Sequence, residues 1–190
     1  MIEVASAIDK ALQASAIAAG NVCRIVVVYE DLTAHYRAME LGTRLAASFG
    51  EEPTFIFHSW DFRELGEPAS SAEAVQAAAQ ADILLFSIHG NDLPWAVTRW
   101  VEACVDARGR RDGALAVLLA EPFCLSPSSG SMLIWLERAA HRLSVDYVSL
   151  IPEPAQQMIK TLHARAQSVI AMLEDVLPGR PAFENWGLNE

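Results

Sequence analysis

The chain has 190 residues, 52% of them hydrophobic, and a formal net charge of −10. This length and apolar fraction suit one sizeable domain with a buried core and argue against general disorder. The negative charge disfavours nucleic acid and anionic membrane surfaces as partners, because both attract basic proteins. We expect no membrane span, since no apolar run approaches the roughly 20 residues that a span needs, and no secretory signal, since the N-terminus has no basic leader.

The three cysteines are Cys23, Cys104 and Cys124, which stand far apart. An odd number at wide spacing predicts no disulfide framework and favours a reducing, cytoplasmic location. No linker divides the chain. We therefore expect a single domain over residues 1–190, with an N-terminal helix within 1–20, a core at 22–177 and a C-terminal tail at 178–190.

Helix-like and strand-like segments alternate along the chain. An amphipathic helix is predicted at residues 2–19, where apolar residues recur with helical spacing. Five apolar segments of strand length follow, at residues 23–29, 54–58, 83–88, 114–120 and 146–151. A helix is predicted after each of them, at about residues 33–48, 70–80, 93–105, 132–142 and 155–177. This alternation predicts a three-layer α/β sandwich around a five-stranded parallel sheet in the order 2-1-3-4-5.

Several connections have recognisable local chemistry. Ser70 and Glu73 match an S-x-x-E capping box, which predicts that the second core helix begins there. The preceding segment, residues 60–69, is rich in Glu, Gly and Pro and is expected to be a connection. The basic RGRR run at residues 108–111 is expected to be solvated.

Residues 81–105 resemble the third strand–helix unit of flavodoxin-like proteins, above all the NADPH-dependent FMN reductases. The matching text is the HGNDLP run at residues 89–94, followed by Arg99 and Trp100. The resemblance implies a flavodoxin-like fold, and it makes FMN the cofactor to consider. The family binds the FMN phosphate in a loop rich in Ser, Thr and Gly after the first strand. Here that loop is YEDLT at residues 29–33, whose two carboxylates would repel a phosphate, so we expect no ordinary phosphate loop.

Response-regulator receiver domains share the expected topology. Glu30 and Asp31 resemble their acidic pair, and the DILLFSI run at residues 82–88 resembles their third strand. Ser87 stands where these domains have the phosphorylated Asp, and no Lys precedes Pro152. Orthodox phosphorelay chemistry is therefore not expected, and a degenerate receiver-like signalling domain is kept as an alternative.

Candidate ligand-binding residues follow the strands, because ligands in open α/β sheets bind at the carboxyl ends of strands. They are Glu30, Asp31, Thr33, His58, Trp60, His89, Asn91, Asp92, Trp95, Ser126, Ser128, Ser129 and Gly130.

The acidic candidates after the first and third strands have structural alternatives. Glu30 and Asp31 could bind Mg²⁺ or a cationic ligand, but we favour a helix cap by Asp31 or Thr33. His89 could be a metal ligand or a general base beside these carboxylates. Asp92 more simply caps the helix that begins at residue 93 or 94.

The remaining candidates lie after the second and fourth strands and at the start of a helix. His58 and Trp60 could contact a planar ligand, although we favour packing for Trp60. Trp95 could stack on an isoalloxazine ring. The SPSSGS run at residues 126–131 is the best anion site in the sequence, and its alternative is an ordinary loop that opens a helix at residue 132.

Our first hypothesis is a binding or regulatory module with a small-molecule ligand, in the form of a homodimer, with no catalytic residue assigned. It is motivated by the absence of the usual catalytic groups of both families. The alternative is an FMN- or nucleotide-dependent oxidoreductase. A third reaction class, metal-assisted hydrolysis at Glu30, Asp31 and His89, has less support because no metal-binding spacing is present.

Overall fold

The computed structural model describes residues 22–49, 54–89, 92–119 and 127–150. The helices predicted at 2–19 and 155–177 and the tail at 178–190 lie outside these ranges. Asn91, Cys124 and Ser126 lie outside them as well.

Five parallel strands form the sheet. They are β1 (Val22–Tyr29), β2 (Thr54–Asp61), β3 (Ile83–Ile88), β4 (Ala114–Leu119) and β5 (Asp146–Leu150). Their order is β2-β1-β3-β4-β5, and every neighbouring pair is parallel. This is the flavodoxin-like doubly wound order, so the predicted topology is confirmed. The direction of winding changes between β1 and β3, and the crevice at their carboxyl ends is the topological switch point of the sheet.

Helices connect the strands and cover the sheet. They are α1 (Leu32–Phe49), a 3₁₀ turn η1 (Glu64–Gly66), α2 (Pro68–Gln80), α3 (Trp95–Arg108) and α4 (Pro127–Leu143). On one face, Ala38 and Leu45 of α1 share a buried cluster with Ile25, Val27 and Leu85 of the sheet. On the other face, the ring of Phe86 lies 6.1 Å from the ring of Trp100 in α3.

The central strand β3 explains why this sheet is covered on both faces. All six of its residues are buried, and the run ILLFSI is apolar except for Ser87. Because successive side chains point to opposite faces, such a run needs helices on both sides. Burial also raises the pKa of the Cys23 and Cys104 thiols to about 12, so both unpaired cysteines belong to the core.

Three helix starts differ from prediction, each beside a proline. Helix α2 begins at Pro68, and its N-cap Glu67 makes no side-chain cap bond, so the capping box expected at Ser70 does not form. Helix α4 begins at Pro127, five residues before the predicted start. Helix α3 begins after Pro94 and extends to Arg108. Proline is favoured in the first turn because its φ is already helical and that turn needs no N–H donor.

Strand β2 is longer than predicted. Its parallel pairing with β1 continues to the pair Tyr29 and Asp61, so Trp60 belongs to the strand and not to a connection. The apolar pattern stops earlier, because the side chains near the end of this edge strand are polar or only partly buried. Backbone pairing with β1 therefore sets the length of β2.

The prediction that residues 108–111 are solvated is wrong for Arg108, whereas Arg111 is exposed and still makes a specific contact. Arg108 is 6% exposed and donates hydrogen bonds to the carbonyl oxygens of Ala78 at 2.7 Å and Asp112 at 3.2 Å. Arg111 donates to Oδ1 of the buried Asp82 at 2.9 Å. These contacts tie together the loops at the amino ends of the strands, opposite the switch point.

Candidate functional site

The turns that follow β1 and β3 meet at the switch point. The Glu30 N–H donates to the Ser87 carbonyl oxygen at 3.1 Å. The His89 N–H donates to Glu30 Oε2 at 2.8 Å, and His89 Nε2 lies 3.2 Å from Asp31 Oδ1. The structure therefore brings Glu30, Asp31 and His89 together, as the predicted adjacency of the two turns requires.

Asp31 caps helix α1. Its Oδ1 accepts a hydrogen bond from the Ala34 N–H at 2.8 Å, the position of the third amide of the helix. This bond holds the pKa of Asp31 below its ordinary value, burial opposes the shift, and the nearby His89 adds to the lowering. Of the two caps that the sequence predicts, Asp31 takes the role and the exposed Thr33 follows it in the first turn.

The Asp31 cap affects whether the turn after β1 can bind an anionic ligand. The free N–H groups of a helix N-terminus are where flavodoxin-like turns could hold a phosphate. In this chain a carboxylate already accepts one of those N–H groups, and Glu30 adds a second negative charge beside it. Because like charges repel at close range, the turn does not fit the phosphate of FMN.

Ser87 lies beneath this turn. It is 0% exposed, and its hydroxyl donates to the Ala34 carbonyl oxygen at 2.8 Å. A phosphate acceptor in a receiver domain must be accessible to its phosphate donor. Ser87 instead fixes the first turn of α1 to β3, so it offers no acceptor at that position.

Two aromatic side chains that the sequence analysis did not single out adjoin the turn. The ring of Tyr29 stacks on His35 with centroids 4.5 Å apart and an interplanar angle of 28°. Burial, followed by the carboxylates of Glu64 and Asp61, raises the pKa of the Tyr29 hydroxyl. An aromatic residue at the carboxyl end of the first strand is the sequence signal that could have pointed to this pair.

His58 and Trp60 contact each other on the edge strand. Their ring centroids lie 6.0 Å apart with an interplanar angle of 20°. They pair with Val26 and Val28 of β1, which places them on the face opposite α1. Strand β1 separates them from β3, so these two candidates belong to a different part of the carboxyl edge from His89.

Asp92 and Trp95 flank the start of helix α3. The prediction that Asp92 caps this helix is wrong, because Pro94 is the N-cap residue and no side-chain cap bond forms. The helix starts later than expected, which leaves Asp92 exposed and too far from the first free N–H groups. Trp95 is 71% exposed, and the Arg99 guanidinium lies 4.8 Å from its ring centroid.

The serine-rich run after β4 is helical where it is described. Ser128, Ser129 and Gly130 all lie in the first turn of α4, so the expected loop does not exist at these positions. Ser129 is only 3% exposed, which makes its side chain part of the interior. Of the predicted anion site, the structure therefore describes only the N-terminal turn of α4. Ser126, which precedes it, lies outside the described ranges.

The proximity of Glu30, Asp31 and His89 does not amount to a metal centre. Among residues 22–49, 54–89, 92–119 and 127–150, no group of three or more metal-binding side chains could hold an ion. In the same ranges, no helix is long and apolar enough to cross a membrane.

Comparisons with known proteins give a structural match and no sequence family. No protein-family model matches the chain, and no curated protein matches it. Among solved structures, one match is general stress protein 14 of Treponema denticola, which was solved in complex with FMN. It is 16% identical with a TM-score of 0.44, and the match covers 82% of this chain and 99% of that chain. The assignment to the flavodoxin-like fold rests on the strand order and register of this chain itself.

Proposed function

We propose that this chain is a flavodoxin-like binding module, without catalytic residues of its own, that does not hold a phosphate at the turn after β1. The observation that carries the proposal is the hydrogen bond from the Ala34 N–H to the Asp31 carboxylate at 2.8 Å. The protein supplies its own anion at the place where a mononucleotide phosphate would bind. A ligand that enters at the carboxyl edge must therefore be recognised by other groups.

The contacts of Glu30 support this proposal. Its carboxylate accepts the His89 N–H, so the turn after β3 is held against the turn after β1. A phosphate would have to displace both this contact and the Asp31 cap. The contact between Glu30 and the His89 N–H, here called the clasp, thus holds the two turns together. A regulatory or binding role fits these residues better than acid–base chemistry.

A second candidate is an FMN- or nucleotide-dependent oxidoreductase whose flavin stacks on Trp95. The specific observation in its favour is the exposed indole ring at the first residue of α3, beside the carboxyl edge. In such a protein the phosphate would bind away from Asp31. The isoalloxazine ring, not the phosphate, would supply most of the affinity.

Parallel titrations with FMN and riboflavin test both candidates, because the two ligands differ only in the phosphate. The proposal expects no binding of either ligand by the wild-type protein, followed as quenching of flavin fluorescence. FMN binding that exceeds riboflavin binding would show phosphate recognition and overturn it. Binding of both ligands that is lost in Trp95→Ala would favour the second candidate instead.

A variant without the two negative charges tests whether repulsion is what keeps phosphate from this turn. Asp31→Ser keeps a capping hydroxyl and removes the negative charge. Combined with Glu30→Gln, it should raise the affinity for inorganic phosphate above that of the wild type, measured by calorimetry. If the double variant and the wild type behave alike, repulsion at this turn is not what excludes phosphate.

A further inference from the structure

A groove separates helices α2 and α3 on the face of the sheet opposite α1. Its volume is about 570 Å³, within the range of small-molecule sites in proteins. The walls come from the first nine residues of each helix, at positions spaced by three and four, and Leu65 of η1 contributes at the base. Because α2 and α3 both start at the carboxyl edge, the groove lies near that edge, and the exposed Trp95 marks its open end there.

The lining is apolar apart from a few groups. Val75, Ala96 and Trp100 are typical of the walls, and Arg99 is the charged residue among the described residues that line it. The neighbouring carboxylates of Glu64 and Glu67 are not part of the lining. In a protein with a net charge of −10, a cavity whose charged side chain is an arginine favours an anionic ligand.

Two indole rings give the groove further recognition chemistry. Trp95 presents its ring at the open end, 71% exposed, with the Arg99 guanidinium 4.8 Å from its centroid. Trp100 is 1% exposed, and its Nε1 is buried with no hydrogen-bond partner among the described residues. Trp100 lines the groove, so its buried indole ring forms part of the apolar wall.

The N-termini of two parallel helices lie at the same end of the groove. Helix α2 starts at Pro68 and α3 at Trp95, and both residues line it. The positive ends of the two helix dipoles therefore favour negative charge at the opening. This adds to the effect of Arg99 and points to a ligand whose anionic group stays at the open end.

We propose that the groove between α2 and α3 binds a small planar aromatic carboxylate, with the carboxylate at Arg99 and the ring system along Trp95 and the apolar walls. This inference rests on the proposed binding function and names its ligand class. The site is separate from the turn after β1, since neither Glu30 nor Asp31 lines the groove.

The test uses 2-naphthoate as the probe and the neutral isostere 2-naphthalenemethanol as its control, with affinities measured by calorimetry on the full chain. We expect 2-naphthoate to bind, and the alcohol to bind about fivefold more weakly, the scale of an exposed ion pair. Arg99→Gln should weaken 2-naphthoate by the same factor and leave the alcohol unchanged. Arg138→Gln, which removes a charge from an exposed position on α4 outside the groove, should change neither affinity.

A blocking variant localises the binding. Ala72 is exposed on α2 and lines the groove. Ala72→Phe should therefore obstruct the groove without disturbing the packing of the core, and it should abolish binding of both probes. Failure of 2-naphthoate to bind, equal binding of the alcohol, or binding that survives Ala72→Phe would each overturn the inference. These outcomes are separate from the flavin titrations, because a wild-type protein that selects FMN over riboflavin contradicts the proposed function whether or not 2-naphthoate binds.

Discussion

The main-chain N–H of His89 donates to the carboxylate of Glu30 at 2.8 Å, so the turn after β3 is held by a side chain from the turn after β1. This contact joins residues that are 59 positions apart in the sequence. It lies at the crevice that doubly wound sheets commonly use for ligands. The stability of the clasp is therefore measurable through Glu30.

Glu30→Ala should destabilise the protein by about 1–2 kcal/mol, because a partly buried N–H loses a charged acceptor. Glu30→Gln retains an acceptor oxygen in nearly the same place and should cost less. Free energies of unfolding from urea titrations would compare the two variants. Equal losses would mean that the contact with the His89 N–H contributes nothing of its own.

Asp31→Ala should cost about 1 kcal/mol, the usual effect of removing an N-cap side chain. Asp92→Ala is the matched control, since Asp92 is also an exposed aspartate just before a helix but makes no cap bond to α3. Its effect should stay within about 0.5 kcal/mol, as for other surface substitutions. The same urea titrations would give both values, and a larger loss for Asp92→Ala would contradict the assignment of the caps.

The Asp31 cap should also make stability depend on pH in a defined direction. The folded-state pKa of Asp31 lies below its ordinary value, chiefly because of the Ala34 N–H. Its contribution is therefore complete above the unfolded value of about 3.9 and is lost as the pH falls through the lowered folded value. The difference in unfolding free energy between wild type and Asp31→Asn should shrink on acidification below pH 4. A difference that grows there would reverse the sign of the linkage.

The sheet was predictable because each strand carries its own signal. The runs of β1 and β3 are continuous and apolar, which is typical of strands covered on both faces, and the alternation with helices restricts the topology to few choices. The end of β2 was not predictable in the same way. Trp60 and Asp61 belong to the strand only because β1 pairs with them, and the local sequence resembles a connection.

The candidate site was predictable in part for a related reason. The predicted strand order makes β1 and β3 neighbours, so it also predicts that the turns at Glu30 and His89 lie side by side. The groove between α2 and α3 had no such signal, because Ala72, Ala96 and Arg99 look like ordinary surface positions of separate helices. The groove forms only because of the way the two helices pack together, and the sequence pattern of neither helix predicts that packing.

Gly113 lies just before β4, at the amino ends of the strands, where Arg108 and Asp82 approach its backbone closely. This close approach makes a packing prediction possible. A methyl group there would lie 2.5 Å from Arg108 Nη2 and 2.7 Å from the Asp82 carbonyl oxygen. That oxygen accepts the Ala114 N–H, so it cannot retreat without disturbing the start of β4. Gly113→Ala should therefore destabilise the protein by about 1–3 kcal/mol.

The control is Gly130→Ala in the first turn of α4, where an added methyl group meets no atom within 4 Å. Replacing this helical glycine should stabilise the protein by about 0.5–1 kcal/mol, since alanine loses less conformational freedom on folding. Thermal and urea unfolding of the two variants should thus move in opposite directions. If Gly113→Ala is as stable as wild type, the close approach of Arg108 and Asp82 to this backbone does not constrain the fold.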